Sequence, residues 1–165
     1  MSLSTTTKMS YYIYINYYIY MNSPEKFMLN FELKGKWGDS SLILGFTPIP
    51  TTLIYAQKEL GLSSIEMNIL LNLLTHWWKK EEFPYPSQAG IAHRIGVSTR
   101  TVQRTLAGLE TKGFIIRNKT SRDNNKYKGR SIYDLSPLVK ILEEKTPELD
   151  IVKKQKKLKK VSNPI

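Results

Sequence analysis

The stretch PSQAGIAHRIGVSTRTVQRTLAGLETKGF, residues 86–114, leaves the chain little freedom in how it folds. Ser87 and Ser98 are each followed by a run with helical periodicity, and serine is a strong residue for the position just before a helix. Gly96 and Gly113 stand where those runs must end, because glycine adopts the left-handed conformation that closes a helix. The pattern predicts one helix from Ser87 through Ile95 and a second from Ser98 to about Lys112.

Two helices joined by about three residues that include a glycine form the helix-turn-helix layout. Ala92 is small enough to let the helices approach, and Val97 and Val102 would fill the angle between them. At 100° per residue, Val102, Leu106 and Leu109 fall within an arc of roughly 60°. Thr99, Arg100, Gln103 and Arg104 occupy an adjoining arc near the helix's first turns, next to Ser98. In a helix-turn-helix this end enters the major groove of duplex DNA. There arginine can donate two bonds to guanine, and glutamine can pair with adenine. A solvated helix face carries the same residue types. The whole two-helix arrangement, not the charges alone, favours the reading face.

The segment after Gly113 extends that reading. FIIRN (114–118) and SIYDL (131–135) have the composition of strands. Between them lies KTSRDNNKYKGR, which is polar, turn-rich and basic. A helix-turn-helix followed by a hairpin with a cationic tip is a winged helix. Its wing can lie along the DNA backbone or reach the minor groove. Lys119, Arg122, Lys126, Lys128 and Arg130 are the candidate contacts, and Tyr127 is expected to pack on the hairpin. From Ser87 to Leu135 there are ten lysines or arginines against three carboxylates. That leaves a local net +7 of the protein's +11.

The flanking regions supply the core. TTLIYAQKELG reads as a helix closed by Gly61. In LSSIEMNILLNLLTHWWKK, Ser63 and Glu66 have capping-box spacing, with Leu62 and Met67 placed as a hydrophobic staple. Ile65, Ile69, Leu73 and Trp77 recur every four residues, the mark of a central helix. EEFPYPS must be extended, since Pro84 and Pro86 restrict the residues before them. SPLVKILEE (136–144) is a short amphipathic helix with Pro137 at its first position. The sequence then turns to VKKQKKLKK, so residues 146–165 are expected to be a disordered basic tail that binds phosphates without sequence preference. Ahead of the domain, FMLNFELKG and SLILGF in the 24–50 lead-in read as strands. YYIYINYYIY, within residues 1–23, reads as a low-complexity, disordered extension. Its residue types all have A/T-rich codons, which suits translated upstream sequence ahead of a start at Met21.

Composition narrows the function. Apolar residues make up 41% of the chain, enough for a core, and the excess of positive charge favours a polyanionic partner. There is no cysteine, which excludes disulfides, thiolate metal sites and cysteine nucleophiles. With two histidines, no metal site is expected. No apolar run approaches the ~20 residues that span a bilayer, so no membrane role and a cytoplasmic protein are expected. A GxxxxGK[ST] phosphate loop and a GxSxG elbow are both missing. The expectation is therefore a protein that is not an enzyme and has no cofactor and no evident small-molecule ligand.

Four stretches in order, GFTPIP, LGLSSIEMNILLNLLTHWW, PYPSQAGIAHRIGVSTRTVQRTLAGLETKGFI and YDLSPLVKILEE, resemble winged helix-turn-helix proteins of bacterial regulators and mobile-element replication proteins. The resemblance covers residues 42–145, roughly three-fifths of the chain. It implies DNA binding without catalysis. One departure is Gly90 inside the motif's first helix, which costs roughly 1 kcal/mol relative to alanine. The expected fold is α+β, mostly α: a helical core with a small antiparallel β-hairpin wing over residues 51–145. The leading expected function is sequence-specific binding of double-stranded DNA as a transcriptional regulator, with a homodimer as a further expectation. The alternatives are a replication initiator or accessory protein of a plasmid or phage, and a protein-interaction module on the same scaffold.

Overall fold

The structure, a computed structural model, describes residues 32–162. The expectations for residues 1–23 lie outside the described residues. The chain divides into two compact units at Phe46/Thr47, treated separately.

In the first unit, residues 32–37 are helical and Ser40–Leu42 form a turn of 3-10 helix. The strand expected at SLILGF is therefore not found, and of FMLNFELKG only the last four residues are described, as helix; the rest of that expectation lies outside the described residues. Positive-φ glycines bend the chain on either side of SLIL. Gly38 takes φ +75 and donates its N–H to the Lys34 carbonyl at 2.8 Å, closing the helix. Gly45, at φ +83, turns the chain again three residues after Leu42. Lys34 also pairs with Asp39 at 3.0 Å across that closure.

The second unit carries five helices and two strands among the described residues. They are α1 (Thr51–Tyr55), α2 (Ser64–Leu74), α3 (Gln88–Ile95), α4 (Thr99–Thr111), β1 (Ile116–Asn118), β2 (Ile132–Asp134) and α5 (Ser136–Ser162). This is a winged helix: α3 and α4 make the helix-turn-helix, and the antiparallel β1–β2 pair makes the wing. Its register sets Ile116 opposite Asp134, Arg117 opposite Tyr133, and Asn118 opposite Ile132. The Tyr133 N–H does not serve this pair. It donates to the Pro84 carbonyl at 2.9 Å, so the chain runs beside β2 there; of the EEFPYPS stretch expected to be extended, Glu81 and Glu82 instead lie in a turn closed by the Glu82 N–H on the Lys79 carbonyl.

The core lies where α2, α3 and α4 meet the base of the wing. Ile69, Leu70, Leu73, Ile91, Val102, Leu106, Leu109 and Tyr133 are all fully buried there. Burying a side chain of this size contributes about 1.5–3 kcal/mol. The Ser63 box forms as its spacing predicts: the hydroxyl accepts from the Glu66 N–H, and the Glu66 carboxylate accepts from the Ser63 N–H at 2.9 Å. Glu66 also pairs with Lys112 at 2.8 Å, and Lys112 donates to the Gly61 carbonyl at 2.9 Å. One carboxylate thus ties the start of α2 to the end of α4. Burial alone would raise the Glu66 pKa, but the bonds from Lys112 and Ser63 outweigh it and hold the group below the ordinary carboxylate value.

Three helix lengths differ from the sequence reading. α1 ends at Tyr55, and tight turns carry the chain to Gly61. α2 ends at Leu74 instead of running through the tryptophans; the Thr75 hydroxyl donates to the Asn72 carbonyl at 2.8 Å, and turns follow. Trp77 still packs on the core. α5 does not stop at residue 144. It continues to Ser162, past Pro147, where a disordered tail is expected. A proline inside a helix costs about 3 kcal/mol. Several contacts are made beyond residue 144. The Thr146 hydroxyl bonds the Leu142 carbonyl at 2.7 Å and meets Thr52 of α1 at 2.9 Å. Lys153 lies 6.0 Å from the Tyr55 ring centroid, and Lys154 pairs with Asp150 one turn away.

Candidate nucleic-acid interface

Local capping fixes α4. The Ser98 hydroxyl accepts from the Thr101 N–H at 3.1 Å and bonds the Thr101 hydroxyl at 2.8 Å. Gly96 takes φ +69, which ends α3 and lets α4 start three residues later, at Thr99. Val102, Leu106 and Leu109 are wholly buried on one side of α4. Thr99, Arg100, Gln103 and Arg104 are exposed on the other. Gly90 has a local reason. Its N–H donates to the Ser87 hydroxyl at 3.1 Å, and a Cβ there would come within 2.9 Å of the same oxygen. Glycine leaves room for the cap of α3.

A cleft of about 850 Å³ runs between α4 and the wing. It brings together Arg100, Gln103 and Arg104 from α4 with Lys119 and Arg130 from the two legs of the wing. No carboxylate is among its lining residues. Ser98 and Thr99 are outside the lining, at the start of α4, and the Ser98 hydroxyl is engaged in the cap. Arg122, Lys126 and Lys128 are also outside it, exposed on the wing tip.

Other residues of the lining were not singled out in the sequence, among them Gln88, Arg117 and Tyr133. Tyr133 is wholly buried as a residue, and its hydroxyl lies 3.4 Å from the Gln88 amide nitrogen. Burial pushes the phenol's pKa up, while bonds from Gln88 and Ser131 pull it the other way. Arg117 is paired with Glu110 at 2.9 Å. Its position opposite Tyr133 is a matter of strand register, which FIIRN and SIYDL do not specify by themselves.

The wing tip is built almost entirely from hydrogen bonds. The Asn124 side chain accepts from the Lys126 and Tyr127 N–H groups, both at 3.0 Å. The Gly129 N–H closes onto the Ser121 carbonyl at 2.9 Å, and the Thr120 hydroxyl donates to the Arg130 carbonyl at 2.7 Å. Lys128 takes φ +50, a conformation that costs a non-glycine residue about 1–2 kcal/mol. Tyr127 packs edge-on against Tyr85, with centroids 5.0 Å apart, and Lys126 sits 5.2 Å from the Tyr127 ring centroid. Packing is thus the role the structure gives Tyr127.

His76 is exposed beyond the end of α2. Partial desolvation, followed by the nearby Arg94 charge, lowers its pKa. Among the described residues no cluster of three or more His, Asp or Glu side chains could hold a metal ion. No helix among them is long and apolar enough to cross a membrane.

No curated protein sequence matches the chain. The solved structure titled "Crystal Structure of MarR" is similar at 22% identity, over 85% of this chain and 92% of that one, with a TM-score of 0.36. A likeness that distant adds nothing to the architecture described above. The family comparison is more extensive: residues 49–155, from the lead-in to α1 through most of α5, match the DnaD N-terminal domain, and the chain belongs to that family.

Proposed function

We propose that the protein binds double-stranded DNA sequence-specifically, without catalysis, and that it serves replication as an initiator or accessory protein. The cationic cleft carries this reading. It sets the base-reading residue types of α4 beside cations on both legs of a wing, with no carboxylate in the lining. Membership in a family of winged-helix replication and DNA-binding domains supports the replication role. The same interface would serve a transcriptional regulator, so the location of the bound site separates the two. Repeats at an origin favour replication, and a promoter beside the gene favours regulation. A homodimer would set its two reading helices on half-sites about 34–36 Å apart.

Selection of bound fragments from random duplexes tests the reading. The proposal predicts an enriched site and a slope of log K against log salt of roughly −5 to −6, for about six neutralised phosphates. A slope near zero would remove duplex DNA as the partner.

A further inference from the structure

Arg117 differs from every other cation of the cleft. Arg100, Arg104, Lys119 and Arg130 are exposed, and none has a carboxylate within ion-pair distance among the described residues. The Arg117 side chain is only 20% exposed and is held by Glu110. The hold has two points. One carboxylate oxygen takes the guanidinium at 2.9 Å, and the other accepts the backbone N–H of Arg117 itself at 3.2 Å. A single side chain from the last turns of α4 thereby fixes both the first strand of the wing and the charged group it carries.

The chemistry makes this arrangement informative. A carboxylate beside a phosphate-binding cleft repels the ligand and weakens binding unless it does something else. A guanidinium carries five N–H donors, and the contact to Glu110 is made through its Nη2 nitrogen. No hydrogen bond from Arg117 Nε or Nη1 is present among the described residues. The guanidinium thus reaches the edge of the cleft with Nε and Nη1 free of hydrogen bonds, on a residue already held at two points. Such preorganisation lowers the entropy lost on binding and fixes geometry.

We propose that Arg117 is a fixed phosphate anchor and Glu110 its positioning residue, the pair setting the register of α4 against the DNA backbone. The proposal rests on the DNA-binding reading above. Backbone contacts carry no base information themselves, but they place the helix that does. A loosened anchor should therefore degrade discrimination more than it degrades binding.

The test is a double-mutant cycle with two probes: the duplex selected by the wild type, and a scrambled duplex of equal length. Glu110→Gln removes a negative charge, so scrambled DNA should bind as well or better. The preferred site should not gain in step, and the ratio of the two affinities should fall at least about threefold. Arg117→Ala should weaken both probes and reduce the salt slope by about 0.9. Arg117→Lys should keep the slope but lose discrimination, because a point charge replaces a planar fork. In the Arg117→Ala background, Glu110→Gln should move both probes by the same factor. Melting temperatures identify any variant that fails to fold, and Arg117→Lys decides the matter if Glu110→Gln does. An unchanged ratio in Glu110→Gln and Arg117→Lys, or the same loss of ratio with and without Arg117, overturns the anchor alone. A wild type that does not distinguish the probes takes down the DNA reading as well, and that result is read before any variant.

Discussion

Helix α4 and the wing tip both present arginines or lysines to solvent, yet they are held in place by opposite means. α4 is fixed by burial: Val102, Leu106 and Leu109 are wholly hidden, and its ends are pinned by Ser98 at one terminus and the Glu66–Lys112 pair at the other. The tip, residues 121–130, has only Tyr127 partly buried, and its shape comes from hydrogen bonds among Ser121, Asn124, Lys128 and Gly129. Packing gives a single rigid placement, which base readout requires. A hydrogen-bonded loop on the surface opens locally at lower free energy, which contact with a uniform phosphate backbone tolerates.

Substitutions can break this contrast, and the largest effect should fall on the packed side. Leu106→Ala should lower unfolding stability by about 2–5 kcal/mol, read as a shift in the denaturation midpoint, because the fully buried site leaves a cavity. No single substitution at the tip should approach that loss.

Gly129→Ala comes next. Gly129 takes φ +77, and a Cβ there would meet Arg122 Cγ at 3.1 Å. The cost should be about 1–2 kcal/mol, spent mainly in opening the tip and not in global unfolding. Amide exchange at Lys126, Tyr127 and Lys128 should speed up, while exchange within α4 stays unchanged. Equal acceleration in both places would show that tip and helix form one cooperative unit.

The smallest effect should come from Lys128→Asn. Asparagine tolerates the left-handed conformation that lysine occupies at a cost. Stability should hold or rise by about 0.5 kcal/mol. Affinity should fall alike for all sequences, with a salt slope shallower by about 1. A changed base preference in this variant would move part of the readout into the wing.

The same contrast explains what could be read from the sequence. Helix ends are local events, so Ser63 with Glu66, Ser87, Gly96, Ser98 and Gly113 marked their places without tertiary information. The buried stripe of α4 followed from periodicity alone. Contacts between distant residues left no such mark. Beyond residue 144, α5 meets α1 through Thr146 and Thr52, 94 residues apart, a contact with no local signal. The clamp on Arg117 depends on the chain turning at Gly113 so that Glu110 comes back against β1. The tip's order was hidden for another reason. KTSRDNNKYKGR has the composition of a loose loop, and its bonds are specific to the turn that Asn124 caps. Before Gly45, the apolar run SLIL suggested a strand, but the chain turns at that positive-φ glycine and leaves Ile43 and Leu44 largely exposed.

The central claim is that α4 reads bases and the wing holds the backbone. A specificity profile of Arg100→Ala, Gln103→Ala and Arg104→Ala, taken beside the wild type over a library of single-base variants of the preferred site, tests it most directly. At least one of the three should cost about 1–3 kcal/mol on that site and relax preference at a single base position. If all three keep the wild-type preference and lose affinity uniformly, α4 is not the reader.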